Sequence, residues 1–294
     1  MTYETAVRSA LRMSWHHSPP EVTRLAGGVM SATWAVDTAA GTFVARLVSP
    51  TERGCLEAGL AAVEHLRSRG IDAGVPVRTL AGALTADTEI GVLALLRVLP
   101  GRALQGDDPL DQQWWGDLLG AAHRALDGLH HTGPLRWPWL RPDAAHLAVQ
   151  PWLRPAVAEA VAATTRLTVT DRLSFGVLHG DPAPGGFRVD PATGRTGLVG
   201  WGRTATGPLV YDLATAVAYA GGPDRAGELI DGFTAAGAVA REEIEAALPV
   251  LLRFRFAVQA DWFARRLATA DLTGLDDAGE LLSGLHQARA ALGG

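Results

Sequence analysis

The chain has 294 residues and contains no lysine and no asparagine, so all 26 of its basic side chains are arginine. Any mechanism that needs an amine from lysine or an amide from asparagine is excluded. A drift of composition towards alanine, glycine and arginine accounts for missing lysines, but less well for an asparagine missing from a site that needs one. Cysteine occurs once, at Cys55, which excludes an internal disulfide and a cysteine-built zinc site. No apolar run approaches the ~18 residues of a membrane-spanning helix. The start of the chain, "MTYETAVRSALRMSWHHSPP", lacks the basic segment and apolar core of a signal peptide. Together these absences point to a cytoplasmic protein without a membrane partner. Positive charge is not in excess either: the net charge of −5 disfavours a nucleic-acid partner, whose phosphates demand clustered cations. The nine histidines show no metal-ligand spacing, and the adjacent pairs His16–His17 and His130–His131 would diverge on a helix.

What is present is a globular composition, 48% hydrophobic and 19% charged, long enough for two lobes around ample cores. Residues 21–48 read as a β-meander: "ATWAV" and "TFVARLV" alternate in polarity around a "DTAAG" turn. "GGVMS" reads as a glycine turn leading into a strand. Leu56, Leu60, Val63 and Leu66 form one stripe of a helix over 52–69, stopped by Gly70. "GVPVRTL" and "IGVLALLRVL" read as further strands. "PGRAL" breaks the pattern and marks a lobe boundary, giving lobes 1–99 and 100–294. From Asp111 the chain reads as mostly helical: 111–131, 154–167, 211–222, 224–237, 241–270 and 275–292. Two short strands, "FRVD" and "TGLVGW", interrupt the helices. The expected architecture is α+β, with a small antiparallel-sheet lobe and a larger helical lobe.

The most specific stretch is "LHGDPAPGGFRVDPATGRTGLVGWGRTATGPLVYDLA", Leu178–Ala214. "HGDPAPGG" resembles the H-G-D-x-x-P-x-N pattern of the aminoglycoside phosphotransferase and choline kinase family, within the protein-kinase-like fold. "LVGWG…GPLVYDLA" is similar to the same family's I-D-W-G…G-x-x-x-x-D-L-A. "ALLRVLPGRAL", "LLGAAHRAL" and "RFRFAVQADWFARR" look like its hinge, its helix before the catalytic loop and a late helix. The resemblance implies a two-lobed kinase-like fold with a catalytic-loop-like segment at 178–202 and a small-molecule ligand in the interlobe cleft.

Carried over position by position, the resemblance makes Asp181 the group that orients an acceptor hydroxyl and takes its proton. It makes Asp212 a support for that loop, with a helix N-cap as the plainer alternative, and His179 a structural residue. It matches Gly27 and Gly28 to the glycines over the nucleotide, and Arg46 to the strand cation that contacts phosphates. The helix carboxylate that pairs with this cation falls at Gly59. Glu57 lies two residues early, about 200° around the helix, and could serve only in a shifted register. The family's two magnesium-holding positions, an Asn and an Asp, are Gly186 and Gly200. A hydrogen atom cannot ligate a metal that demands oxygen donors. Arg203, three residues beyond Gly200, is a candidate to replace part of the lost metal charge, with Arg188 a weaker one.

No metal ligand is therefore assigned. ATP remains open as a cofactor, and Mg²⁺ is disfavoured. Trp114, Trp115, Trp137, Trp139 and Trp152 fall where the family builds its acceptor region; they could stack on a flat ligand, but core packing is the plainer reading. Three functions fit these residues. The leading one is a repurposed enzyme of specialised metabolism that keeps the Asp181 base without phosphorylating. The others are an ATP-dependent O-phosphotransferase with a remodelled metal site, and a non-catalytic pseudokinase that binds a ligand or a protein partner.

Overall fold

Alternating apolar residues build the first lobe. The computed structural model describes residues 3–18, 21–25, 32–131, 135–137, 139–170, 172–272 and 277–293; Gly27, Gly28 and the "GGVMS" turn lie outside them. The first lobe comprises α1 (Tyr3–Trp15), β1 (Glu21–Arg24), β2 (Ala32–Thr38), β3 (Gly41–Val48), α2 (Arg53–Ser68), β4 (Ala86–Thr88) and β5 (Gly91–Arg97). The strands form one antiparallel sheet in the order β1-β2-β3-β5-β4.

Successive side chains of a strand leave opposite faces, and this places Arg46. Phe43, Ala45 and Leu47 of β3 join Leu93 and Leu95 of β5 against Val7, Leu11 and Trp15 of α1. Val48 joins Val92 and Ala94 on the other face, against Leu56 and Leu60 of α2. Arg46 lies in register with Ala94 and shares the parity of Val48, so it leaves the sheet on the α2 side, towards the second lobe.

One expectation for this lobe is corrected, and one element was missed. The "GVPVRTL" segment is not a strand: only Pro76 bridges to Leu96, and Pro76 cannot donate to a ladder. Helix α1 was not anticipated. Its stripe of Ala6, Val7, Ala10, Leu11 and Trp15 is buried on the sheet, and the Trp15 indole donates to the Val77 carbonyl.

The second lobe adds β6 (Arg102–Ala103), α3 (Pro109–Ala125), β7 (Leu135–Arg136), α4 (Leu153–Thr170), β8 (Phe175–Leu178), β9 (Phe187–Val189), β10 (Thr196–Leu198), β11 (Ala205–Pro208), α5 (Val210–Tyr219), α6 (Gly227–Ala236), α7 (Arg241–Ala268) and α8 (Ala278–Leu292). β6 pairs with β9 of the β9–β10 hairpin, so the chain has joined this lobe by residue 102. β11 lies between β7 and β8. The Arg102 fork grips the buried Asp111 carboxylate with two 2.6 Å bonds, tying the hinge to α3. The expected helix at 111–131 ends at Ala125, before the turn at Gly128. The expected strand at 196–201 stops at Leu198, because Gly200 turns the chain and Trp201–Arg203 form a single 3-10 turn.

The tryptophans pack. Trp115 is fully buried, and Trp137 and Trp139 stand edge-on to each other and around Tyr211 and Phe254. Trp114 and Trp152 lie partly buried against the same core. No helix among the described residues is long and apolar enough to cross a membrane.

Candidate active site

The catalytic-loop-like segment is suspended from one buried carboxylate. Asp212, in the first turn of α5, is fully buried and accepts the His179 N–H at 2.7 Å and the Gly180 N–H at 3.0 Å. The His123 Nε2 of α3 lies 3.0 Å from the same carboxylate. Asp212 is therefore a loop support; the N-cap alternative does not hold, because the cap position is Leu209. A further tether comes from the Trp115 indole, which donates to the Pro182 carbonyl at 3.0 Å.

His179 is buried among Phe187 and Trp201, and its two nitrogens are committed. Its Nδ1 accepts the Asp181 N–H at 3.3 Å, which leaves Nε2 as the donor to the Val199 carbonyl at 3.0 Å. Burial, first, pushes the imidazole below its ordinary value, so the neutral ring is the one that bridges these loops.

Asp181 emerges from this frame half-buried, with its Oδ1 accepting the Tyr219 hydroxyl at 2.6 Å. Tyr219 ends α5. Burial, and then the facing carboxylate, raise its phenol above the ordinary value, so it stays a donor. The Arg255 guanidinium of α7 sits 5.4 Å over the Tyr219 ring. The buried Tyr211 phenol is pushed up to about 12 by burial, opposed by the charges of Arg255 and Arg203.

Arg46 reaches the cleft from the other lobe. Its Nε is sealed from solvent and has no hydrogen-bond partner among the described residues. Burial pulls its guanidinium below the ordinary value; the Asp181 and Glu52 carboxylates act against this, and Arg203 acts with it. The head rests on the backbone of Gly202: a Cβ there would lie 2.2 Å from Nη2. Arg203 stands beside the catalytic loop, since a Cβ on Gly180 would lie 2.0 Å from the Arg203 carbonyl.

Gly186 and Gly200, the positions that the resemblance matches to metal ligands, are brought together. The Val199 N–H donates to the Gly186 carbonyl at 2.7 Å, and Gly200 is the next residue along. Gly200 has φ +102°, a conformation that side-chain-bearing residues rarely adopt. Among the described residues, no group of three His, Cys, Asp or Glu side chains could hold a metal. The residues present do not fit a magnesium-bound nucleotide triphosphate in the family's manner.

The remaining assignments divide. Glu57 does not reach Arg46: its carboxylate bonds Arg53 and Thr85. Glu52, in the turn before α2, acts on Arg46 instead, after Asp181. Gly59 shows why the register leaves no helix carboxylate here: a Cβ at this position would stand 1.9 Å from the Trp201 carbonyl, so α2 lies directly on the 201–204 turn. Arg188 is turned away, donating to Gly185 in its own loop. A pocket between the lobes is lined by Arg46, Leu56, Gly59, Leu60, Val63, Ala73, Leu96, Gly200, Trp201 and Gly202.

Sequence reasoning gave no role to Tyr219, Glu52, His123 or Arg255. Tyr219 carried a usable signal, since it follows Asp212 by seven residues and shares its helix stripe. Glu52 and Arg255 meet the site only through tertiary packing.

This two-lobed arrangement is the protein-kinase-like fold. The chain belongs to the phosphotransferase enzyme family, APH, whose model matches residues 21–248. Among curated proteins it is similar to the homoserine kinase of Chelativorans sp. (strain BNC1), 28% identical over 260 residues, covering 81% of this chain and 79% of that protein. Among solved structures it resembles the amicoumacin kinase hAmiN in complex with AMP-PNP and Ca²⁺, at a TM-score of 0.75 and 16% identity, covering 99% of this chain and 93% of that one. The microcompartment-associated aminopropanol kinase has the same TM-score and identity, covering 98% and 95%.

Proposed function

We propose that this family member binds an anionic small molecule between its lobes without magnesium, with Arg46 as the anion receptor and Asp181 as the proton-accepting base. The observation that carries this reading is the half-buried Arg46, whose Nε is sealed from solvent and unsatisfied near Asp181. A buried N–H without an acceptor is costly, and an incoming anion removes that cost. Asp181 can take a proton from a ligand hydroxyl while the Tyr219 hydroxyl holds its Oδ1 in place. Arg46, with Arg203 alongside, stabilises negative charge that grows during the reaction. The chain is then a repurposed enzyme that handles protons rather than transferring phosphate from magnesium–ATP.

A second reading keeps phosphoryl transfer. It draws on the intact suspension of the 178–182 loop and on relatives that are homoserine and amicoumacin kinases by name. In it the arginines supply charge that a metal would otherwise supply.

Calorimetric titration with ADP and with pyrophosphate in EDTA separates the two, using the wild-type protein and Arg46→Gln. The proposal expects binding in EDTA, weakened at least about tenfold in Arg46→Gln. Release of ADP from magnesium–ATP in the presence of a hydroxylated acceptor would overturn it in favour of the second reading.

A further inference from the structure

Helix α7 carries five arginines, and four of them are neutralised. Arg241 pairs with Asp231, Arg253 with Glu159, Arg265 with Asp261 and Arg266 with Asp271. Arg255 alone has no carboxylate partner among the described residues. It is half-buried. Its guanidinium lies 5.4 Å over the Tyr219 ring and 5.5 Å over the Phe256 ring. One N–H donates to the Gln259 amide oxygen, and the Gln259 nitrogen donates in turn to the Gly284 carbonyl at 3.2 Å, which fixes which end of the amide Arg255 meets.

Aromatic contacts use the flat faces of a guanidinium; in the plane its N–H edge meets the Gln259 amide oxygen and the Tyr219 hydroxyl, and the remaining N–H groups are the ones left for a ligand. That edge belongs to the same cluster as the base, since Tyr219, under Arg255, donates to Asp181. The Arg255 charge also reaches both phenols of the cluster, lowering Tyr211 and Tyr219 against the upward push of burial. A positive group beside a reactive carboxylate is poor company for a cationic ligand and good company for one bearing an acid.

We infer that Arg255 is the receptor for a carboxylate-class acid group on the small molecule whose hydroxyl faces Asp181, so that the acceptor side of the cleft is built for a hydroxylated acid. This rests on the reading of Asp181 as the base, and it adds a second anion subsite, on α7, to the one at Arg46. A planar fork suits a carboxylate through two parallel N–H bonds, and the Tyr219 ring fixes its orientation. An amide of the same shape lacks the charge and presents one oxygen only.

The test uses two probes that differ only at the acid, 4-hydroxybutanoate and 4-hydroxybutanamide, titrated by NMR line shape into the full chain in EDTA. Pyrophosphate is titrated separately. The acid should bind at least about tenfold more tightly than the amide, and Arg255→Gln should bring the two together. Arg255→Lys keeps the charge and most of the stem, so it serves if the glutamine variant unfolds. Having no fork, it should lose at least half of the acid's advantage. Equal binding of acid and amide, absence of binding by both, or an acid preference that persists in Arg255→Gln each overturns the inference. Pyrophosphate binding without acid preference leaves the Arg46 reading standing and removes this one. Acid preference without pyrophosphate binding does the reverse.

Discussion

Replacing Asp212 by alanine removes a single acceptor group on which three donors depend. The His179 N–H, the Gly180 N–H and the His123 ring all meet its carboxylate, in a place closed to water. Each donor left buried and unsatisfied costs about 1–3 kcal/mol, so Asp212→Ala, which strands three of them, should lose roughly 3–9 kcal/mol. That is a large fraction of the ~5–15 kcal/mol that holds a domain together. Urea unfolding measures the loss directly, provided the slope against denaturant stays the same. Amide exchange at residues 178–182 should quicken as well, because the two backbone donors belong to that loop. Asp212→Asn keeps one carbonyl oxygen and should lose less. A loss below about 1 kcal/mol for alanine, within the range of an ordinary hydrogen bond, would show that the loop is not hung from Asp212.

Other expectations follow from the same contacts. Burial lowers the His179 pKa from 6.5, so the unfolded chain takes up a proton first as pH falls. Stability should therefore drop below about pH 6.5, by up to ~1.4 kcal/mol per pH unit from this group. Denaturant midpoints across that range measure the slope, and His179→Gln should flatten it; an equal slope in the variant refutes the assignment. Gly59→Ala forces a methyl onto the Trp201 carbonyl and should cost about 1–3 kcal/mol, whereas a neutral result in urea would mean that α2 does not press on the turn. Restoring donors with Gly186→Asn and Gly200→Asp should not create magnesium-dependent thermal stabilisation by ATP. The position of Gly59 keeps a paired carboxylate away from Arg46, and the aspartate at φ +102° should itself cost about 1–3 kcal/mol. Magnesium-dependent stabilisation in that double variant contradicts the account.

Much of this site was legible because it is local. The parity of β3 delivers Arg46 to the α2 side, and the H-G-D and D-L-A spacings deliver Asp181 and Asp212. Gly186 and Gly200 stand where the resemblance places metal donors, and the structure sets these two positions close together. What stayed hidden depends on elements meeting in space. Glu57 occupied a plausible position on its helix, but the direction of α2 turns it to Arg53 and Thr85 and leaves Glu52 to act on Arg46. Arg255 belongs to a helix far along the chain, and its lack of a carboxylate partner among the described residues is visible only beside the four ion pairs of its neighbours. Helix α1 escaped because a short amphipathic stripe near the chain start reveals its purpose only once a sheet face lies beneath it.

The central claim is that charge at this cleft comes from arginine and not from a metal. The measurement that meets it most directly is the calorimetric affinity of wild-type protein for ADP, in EDTA and again with saturating Mg²⁺. The account predicts affinities that agree within about twofold, since no donor set here holds the ion. An affinity at least about tenfold higher with Mg²⁺, a gain of ~1.4 kcal/mol, would contradict it.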